Sequence, residues 1–202
     1  MQLEILHYQP EQNASKIPLL FVHGAWHGAW CWEEYFLPYF AKHGYDSYAL
    51  SLRGHAGSEG KWRWASVHDY VADVAQVAAQ FDIPPIVIGH SMGGYIVQKY
   101  LEKHPASGAV LVASVPTIGT LPFFIRFGLK RPVAMIRNLV TLCGHFWHEP
   151  KHVRDAFFSD SLSEADLNRY FEKLQGESLW LAIQSMGFIL PKPDEVPKDI
   201  PL

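Results

Sequence analysis

Apolar residues fall along this chain in two alternating rhythms. Uncharged runs at 17–22, 86–88 and 109–113 are what strands buried on both faces of a parallel sheet require. In Tyr48-Ala49-Leu50-Ser51-Leu52 the larger apolar side chains take every second position, and a weaker alternation over 3–8 predicts a first strand. Between the runs the period lengthens. Val67, Tyr70, Val71, Val74, Val77, Ala78 and Phe81 recur at helical spacing, with Ser66 and Asp69 placed as a capping box. A helix over 92–103 should stop at His104-Pro105, because a proline disfavours helical backbone in the residue before it. Around Tyr35-Phe36-Leu37, Pro38 belongs in a first helical turn and Gly44 at the stop. Regular alternation of strand and helix predicts an α/β fold, a doubly wound and mostly parallel sheet with right-handed crossovers.

The rhythm changes after about position 120. Residues 121–188 show no strand pattern but several helical patches, among them 162–174, which opens on Ser163 with Asp166 three residues on. The stretch is rich in aromatics, including Phe123, Phe124, Phe127, Phe146, Trp147, Phe157, Phe158, Phe171 and Trp180. It reads as a helical cap inserted over one edge of the sheet, with most of these rings packing and a few lining an apolar pocket. The expected division is a core over 1–120, a cap over 121–188 and a connector back to the core over 189–202.

Composition narrows the function by exclusion. The 202 residues suit one well-buried domain rather than two. A 49% hydrophobic and 18% charged make-up argues for a packed globule. With a net charge of -3 there is no electrostatic reason to expect a nucleic-acid partner. Cys31 and Cys143 are far apart and form no C-x-x-C, so a disulfide framework or thiolate metal site is not expected. The first ten residues lack the basic start and apolar run of a secretion signal, and no stretch approaches the roughly 18 apolar residues of a membrane span. The expectation is a soluble cytoplasmic protein with a small-molecule substrate, no membrane partner, no metal and no organic cofactor.

The candidate chemistry lies at Gly89-His90-Ser91-Met92-Gly93, a G-x-S-x-G sequence between the run at 86–88 and a helix. In that context Ser91 sits on a strained strand-to-helix turn with its hydroxyl projecting, a nucleophile elbow. A Cβ at positions 89 or 93 would collide with the neighbouring strand and helix, hence the glycines. A serine hydroxyl is a poor nucleophile at neutral pH and needs a base, together with donors for the oxyanion formed on attack. The Met92 amide at the start of the helix is one such donor, and the loop after His23-Gly24 holds a second. His90 adjoins Ser91 but points away from it at so sharp a bend. His23 and His55 are expected to shape their own loops.

With both loops placed, the chain resembles the α/β-hydrolase superfamily. The segment from His23-Gly24-Ala25-Trp26 through His27-Gly28-Ala29-Trp30-Cys31-Trp32 is similar to the corresponding stretch of the methyl-esterase and hydroxynitrile-lyase branch. Arg53-Gly54-His55-Ala56-Gly57-Ser58 resembles the Arg-Gly-His-Gly-x-Ser loop of esterases, with Ala56 in place of a glycine. The resemblance implies that Ser91 is the nucleophile, that Ala25 and Met92 supply the oxyanion donors with Trp26 as the fallback, and that Trp26 also contacts substrate. It implies a serine hydrolase acting on small apolar carboxylic esters through an acyl-enzyme. Hydroxynitrile lyases and carbon–carbon bond hydrolases use the same scaffold, and a ligand-binding module that lost its base is the reading from another class.

In that superfamily the triad runs Ser, then Asp or Glu, then His. The acid follows the strand after the cap, and the histidine follows the last strand. Here 114–117 hold no carboxylate, Asp194, Glu195 and Asp199 lie in a proline-rich connector, and no histidine follows His152. The expectation is therefore a sheet truncated before its last strands, a chain lacking the triad acid and histidine and nearly inactive by itself, and an exposed apolar edge on the strand ending at Ala113. One decoy remains. His148-Glu149-Pro150-Lys151-His152 matches the H-E-x-x-H zinc pattern with His145 nearby, but Pro150 denies the intervening helix an N–H, and a polar turn is expected instead.

Overall fold

The structure, a computed structural model, describes residues 1–10, 15–130, 132 and 150–202. Five strands, β1 (Ile5–Tyr8), β2 (Leu19–Val22), β3 (Ser47–Leu50), β4 (Ile86–His90) and β5 (Gly108–Val112), form one sheet in the order β1-β3-β2-β4-β5. Only β1 is antiparallel to its neighbour; β3, β2, β4 and β5 run parallel. The chain steps from β2 outward to β3, then crosses to β4 and continues outward to β5 on the other side. The winding direction thus reverses between β2 and β4, and in open α/β sheets ligands bind outside the carboxyl ends of strands at such a reversal.

Strand residues alternate between two faces, and the core divides accordingly. Leu20 and Val22 pack with Leu50, Leu52, Tyr70, Val74, Tyr95 and Ile96 on one face. Leu19 and Phe21 pack with Ala29, Trp32, Leu37 and Ile88 on the other. The first layer is built by α3 (Val67–Ala78) and α4 (Met92–Leu101), the second by α1 (Trp30–Glu33) and α2 (Phe36–Lys42). All four β2 residues are buried, as an uncharged run at the middle of a parallel sheet demands.

Most element boundaries agree with the periodicity. Ser66 and Asp69 form the predicted capping box, Pro38 lies in the first turn of α2, and Gly44 follows that helix with φ 86°. Among the differences, three bear on the site and its loops. α4 ends at Leu101, two residues before the predicted stop. β3 ends at Leu50, and the Leu52 N–H beyond it donates to His23 Nε2 instead of a neighbouring strand. The short helix α1 has no sequence period to reveal it, since four residues make barely one turn.

Beyond β5 the described residues form no strand. They include α5 (Leu121–Lys130), α6 (Pro150–Phe157), α7 (Glu164–Lys173) and α8 (Leu179–Ile183), the last running into a π turn at Gln184–Phe188. Ser163 caps α7 by accepting the Asp166 N–H, as its spacing predicts. The segment after α7 is stitched to the sheet domain by polar contacts. Ser178 Oγ donates to Ala65 O at 2.7 Å, the Val67 N–H donates to Gln184 Oε1 at 2.8 Å, and Tyr70 OH donates to Glu177 Oε1 at 3.0 Å. β5 lies at the sheet edge with Val110 and Leu111 exposed, and its Ala109 N–H donates to Pro201 O at 2.9 Å. Asp194, Glu195 and Asp199 are exposed, as expected of the connector. Cys143, His145, Phe146, Trp147, His148 and Glu149 lie outside the described residues, so the zinc pattern does too; Pro150 opens α6. Among the described residues no group of three metal-ligating side chains converges and no helix is long and apolar enough to cross a membrane.

Candidate active site

Ser91 occupies the turn between β4 and α4, at the strand reversal. Its backbone has φ 53° and ψ −114°, a conformation rare for a residue with a side chain, and such strain costs of order 1–3 kcal/mol. The surroundings hold it there. The Ser91 N–H donates to Val112 O at 3.0 Å, while Ser91 O accepts the Val115 N–H at 3.2 Å and the Tyr95 N–H at 3.3 Å. The glycines are required sterically. A Cβ on Gly89 would lie 2.5 Å from Gly93 O, and one on Gly93 would overlap the carbonyl oxygens of Val22 and His23. A third glycine in the motif is constrained as well: a Cβ on Gly94 would overlap Ser114.

The loop after β2 lies against this turn. A Cβ on Gly24 would meet His90 Nδ1 at 2.9 Å and Ser91 Cβ at 3.3 Å, so only a bare α-carbon permits the approach. Ala25 and Trp26 follow, both half-buried, with Trp26 at φ 67°. Ser91 is half-buried too, and its hydroxyl makes no hydrogen bond among the described residues. Neither the Ala25 N–H nor the Met92 N–H donates to a described acceptor. Met92 heads α4, where the first amides of any helix lack intrahelical partners and attract negative charge. The turn therefore combines a hydroxyl and two amides that have no hydrogen-bond partner among the described residues.

The histidines around it have other tasks. His23 is fully buried, donates from Nδ1 to Gly24 O at 2.8 Å and accepts the Leu52 N–H at Nε2 at 3.0 Å. Both nitrogens are committed, and burial holds its pKa well below the ordinary value. His27 bonds through Nδ1 to Ala25 O at 2.7 Å, and burial brings its pKa down to about 4. His90 is lowered by burial and lies edge-on to Trp32 at 6.4 Å. His55 holds its loop through Arg53 O at 3.2 Å and also faces the carboxylate of Glu177 at 3.5 Å. Burial opposes its protonation most strongly of any single influence, yet Glu177 together with the backbone carbonyls of Arg53 and Gly176 leaves its pKa raised. None of these four hydrogen-bonds Ser91.

Three contacts are invisible in the sequence. The Gln175 N–H donates to Trp26 O at 3.0 Å and its side-chain Oε1 accepts the Ala56 N–H, so one residue ties the Trp26 loop to the loop at 53–58. Phe157 of α6 packs against Trp26 at 5.8 Å and His27 at 5.7 Å. Arg53 forks onto Asp73, which is almost wholly buried in α3, and reaches Asp69 at 2.7 Å. Each spans a gap in sequence that no local pattern encodes. A hollow of about 310 Å³ lined by Glu4, Leu6, Trp30, Glu33, Ala56, Glu172, Lys173 and Gln175 lies beside the Gln175 tie and includes neither Ser91 nor Trp26.

The reversal point, the elbow and the glycine-backed loop define a class of fold, and comparison with known proteins assigns it: the chain belongs to the alpha/beta hydrolase family, whose family model matches residues 19–199. Among individual relatives, a non-heme haloperoxidase of Rhodococcus erythropolis is 32% identical over 105 residues, covering 50% of this chain and 38% of its own length. A pimeloyl-[acyl-carrier protein] methyl ester esterase of Chromobacterium violaceum is 36% identical over 77 residues, covering 38% of this chain and 27% of its own. The chain thus spans less than half the length of these relatives. A monoacylglycerol lipase of Paleococcus ferrophilus superposes with a TM-score of 0.62 at 18% identity over 92% of this chain and 70% of the lipase, a likeness of fold.

Proposed function

We propose that the protein is a serine hydrolase of small apolar carboxylic esters. Ser91 attacks the ester carbonyl, the amides of Ala25 and Met92 take the oxyanion, the alcohol leaves, and water releases the acid from the acyl-enzyme. Trp26 forms part of the substrate wall. The core over 1–120 carries this chemistry, the helices of 121–188 act as its cap, and 189–202 returns the chain to the core. The observation that carries the reading is the strained Ser91 with a free hydroxyl, set between a helix start and a loop whose glycine exists to let it approach. Similarity to a methyl ester esterase supports the ester class.

The reading needs a base, and among the described residues no histidine hydrogen-bonds Ser91. In a triad enzyme, loss of the base costs about 10⁶ in turnover, so these 202 residues alone should be nearly inactive. A second reading, favoured by the lack of a histidine bonded to Ser91 among the described residues, is a binding module that keeps the cradle without turnover. Fluorophosphonate labelling followed by peptide mass mapping separates them. A full-length protein containing these residues should label rapidly at Ser91 and lose the label in Ser91→Ala. Rapid labelling that survives Ser91→Ala overturns the nucleophile, and no labelling of a folded full-length protein supports the binding module.

A further inference from the structure

Charge along the chain is segregated in a way the ester chemistry does not use. All 20 acidic residues lie outside 103–148, a stretch that contains Lys103, Arg126, Lys130, Arg131 and Arg137. Helix α5 lies inside it and has no buried residue. At about 100° per residue, Leu121, Ile125 and Leu129 form one stripe, and these side chains are 46%, 56% and 81% exposed. Arg126 and Lys130 border that stripe, with exposed Phe123 beyond them, while Phe124, Phe127 and Gly128 make the half-buried side turned to the protein. The helix is held at its start, where the Thr120 N–H donates to Ser185 O at 2.8 Å and the two hydroxyls meet at 2.9 Å. Ile118 and Phe188, either side of that anchor in the sequence, are exposed as well.

We infer that α5 seats the protein on an anionic lipid surface, its Leu121/Ile125/Leu129 stripe entering the headgroup boundary and Arg126 and Lys130 pairing with lipid phosphates. An exposed apolar stripe rimmed by Lys and Arg is the composition of helices that lie in a membrane interface. An apolar protein groove would satisfy the stripe equally well, but not the acid-free cationic border. On a molecule with net charge -3, that border suits α5 to approach a negative surface. The expectation of no membrane partner rested on the lack of a span, and an interfacial helix needs none. The inference is independent of the role of Ser91.

Co-sedimentation of the 202-residue chain with phosphatidylcholine vesicles, with and without phosphatidylglycerol, tests it. Binding should require the anionic lipid and weaken as salt rises. Arg126→Gln combined with Lys130→Gln should lower partitioning by about 30-fold, from roughly 1 kcal/mol per cation near the surface. Leu129→Asp should abolish binding while circular dichroism stays unchanged. Equal binding to both vesicle types, or no binding to either by folded protein, overturns the proposal. So does a self-associated chain that Leu129→Asp converts to monomer without any effect on vesicle binding.

Discussion

A single methyl group at position 93 would overlap the carbonyl oxygens of both Val22 and His23. Because backbone cannot swing aside as a side chain can, Gly93→Ala should cost more than about 3 kcal/mol, at the upper end of overpacking. Urea denaturation would measure it, with Gly187→Ala as contrast: that site is open and suffers only from its φ of 148°. The buried histidines set a pH dependence whose sign can be worked out. His27 titrates near 4 when folded, against about 6.5 in the unfolded chain. As pH falls the unfolded chain takes the proton first, so stability present above about pH 6.5 is lost progressively toward 4. His23 acts in the same direction. His55 acts oppositely: its raised pKa gives stability that is full below about 6.5 and fades once pH passes the folded value. The denaturation midpoint should therefore decline from pH 6.5 to 4, and His27→Asn should flatten that slope. At this scale Ser91, Gly89 and Gly93 were legible because the turn they form is contiguous, although the atoms that exclude a side chain at Gly93 belong to Val22 and His23. Glu177 and Gln175 were not, since nothing in a short window marks a carboxylate or amide for partners more than 100 positions away.

Helix α3 shows how much an element owes to its own sequence and how much to its neighbours. Its start is local, and Ser66→Ala should cost about 1 kcal/mol by removing one side of the capping box. Its seating is not local. Asp73 is buried at 1% exposure and satisfied by the Arg53 guanidinium and the Arg53 N–H. Truncation by Arg53→Ala leaves that carboxylate buried without its cation and should cost about 3 kcal/mol, as breaking a buried pair does. Arg53→Lys should recover only part of the loss, because an ammonium cannot reproduce the fork to Asp73 while reaching Asp69. Thermal denaturation of the three variants would rank them. The strands were legible as uncharged runs. α1 was hidden because a helix of one turn has no period to detect.

At the scale of the whole sheet, the described residues leave an edge at β5. β5 is flanked by β4 on one side only, and Val110 and Leu111 are exposed along it. Such an edge invites pairing with other chains, so Leu111→Lys should lower aggregation by light scattering without lowering the melting temperature. The order of residues alone determined the α/β class, the strand runs, the helix caps and the elbow, since steric period, turn chemistry and capping act within a few positions. Only the tertiary structure decided that the loops after β2 and β4 meet at the winding reversal, that Gly24 lets them touch, and that Gln175 and Phe157 close on Trp26. Those contacts join segments separated by tens of residues or more, and their energy exists only once the sheet has brought the strand ends together.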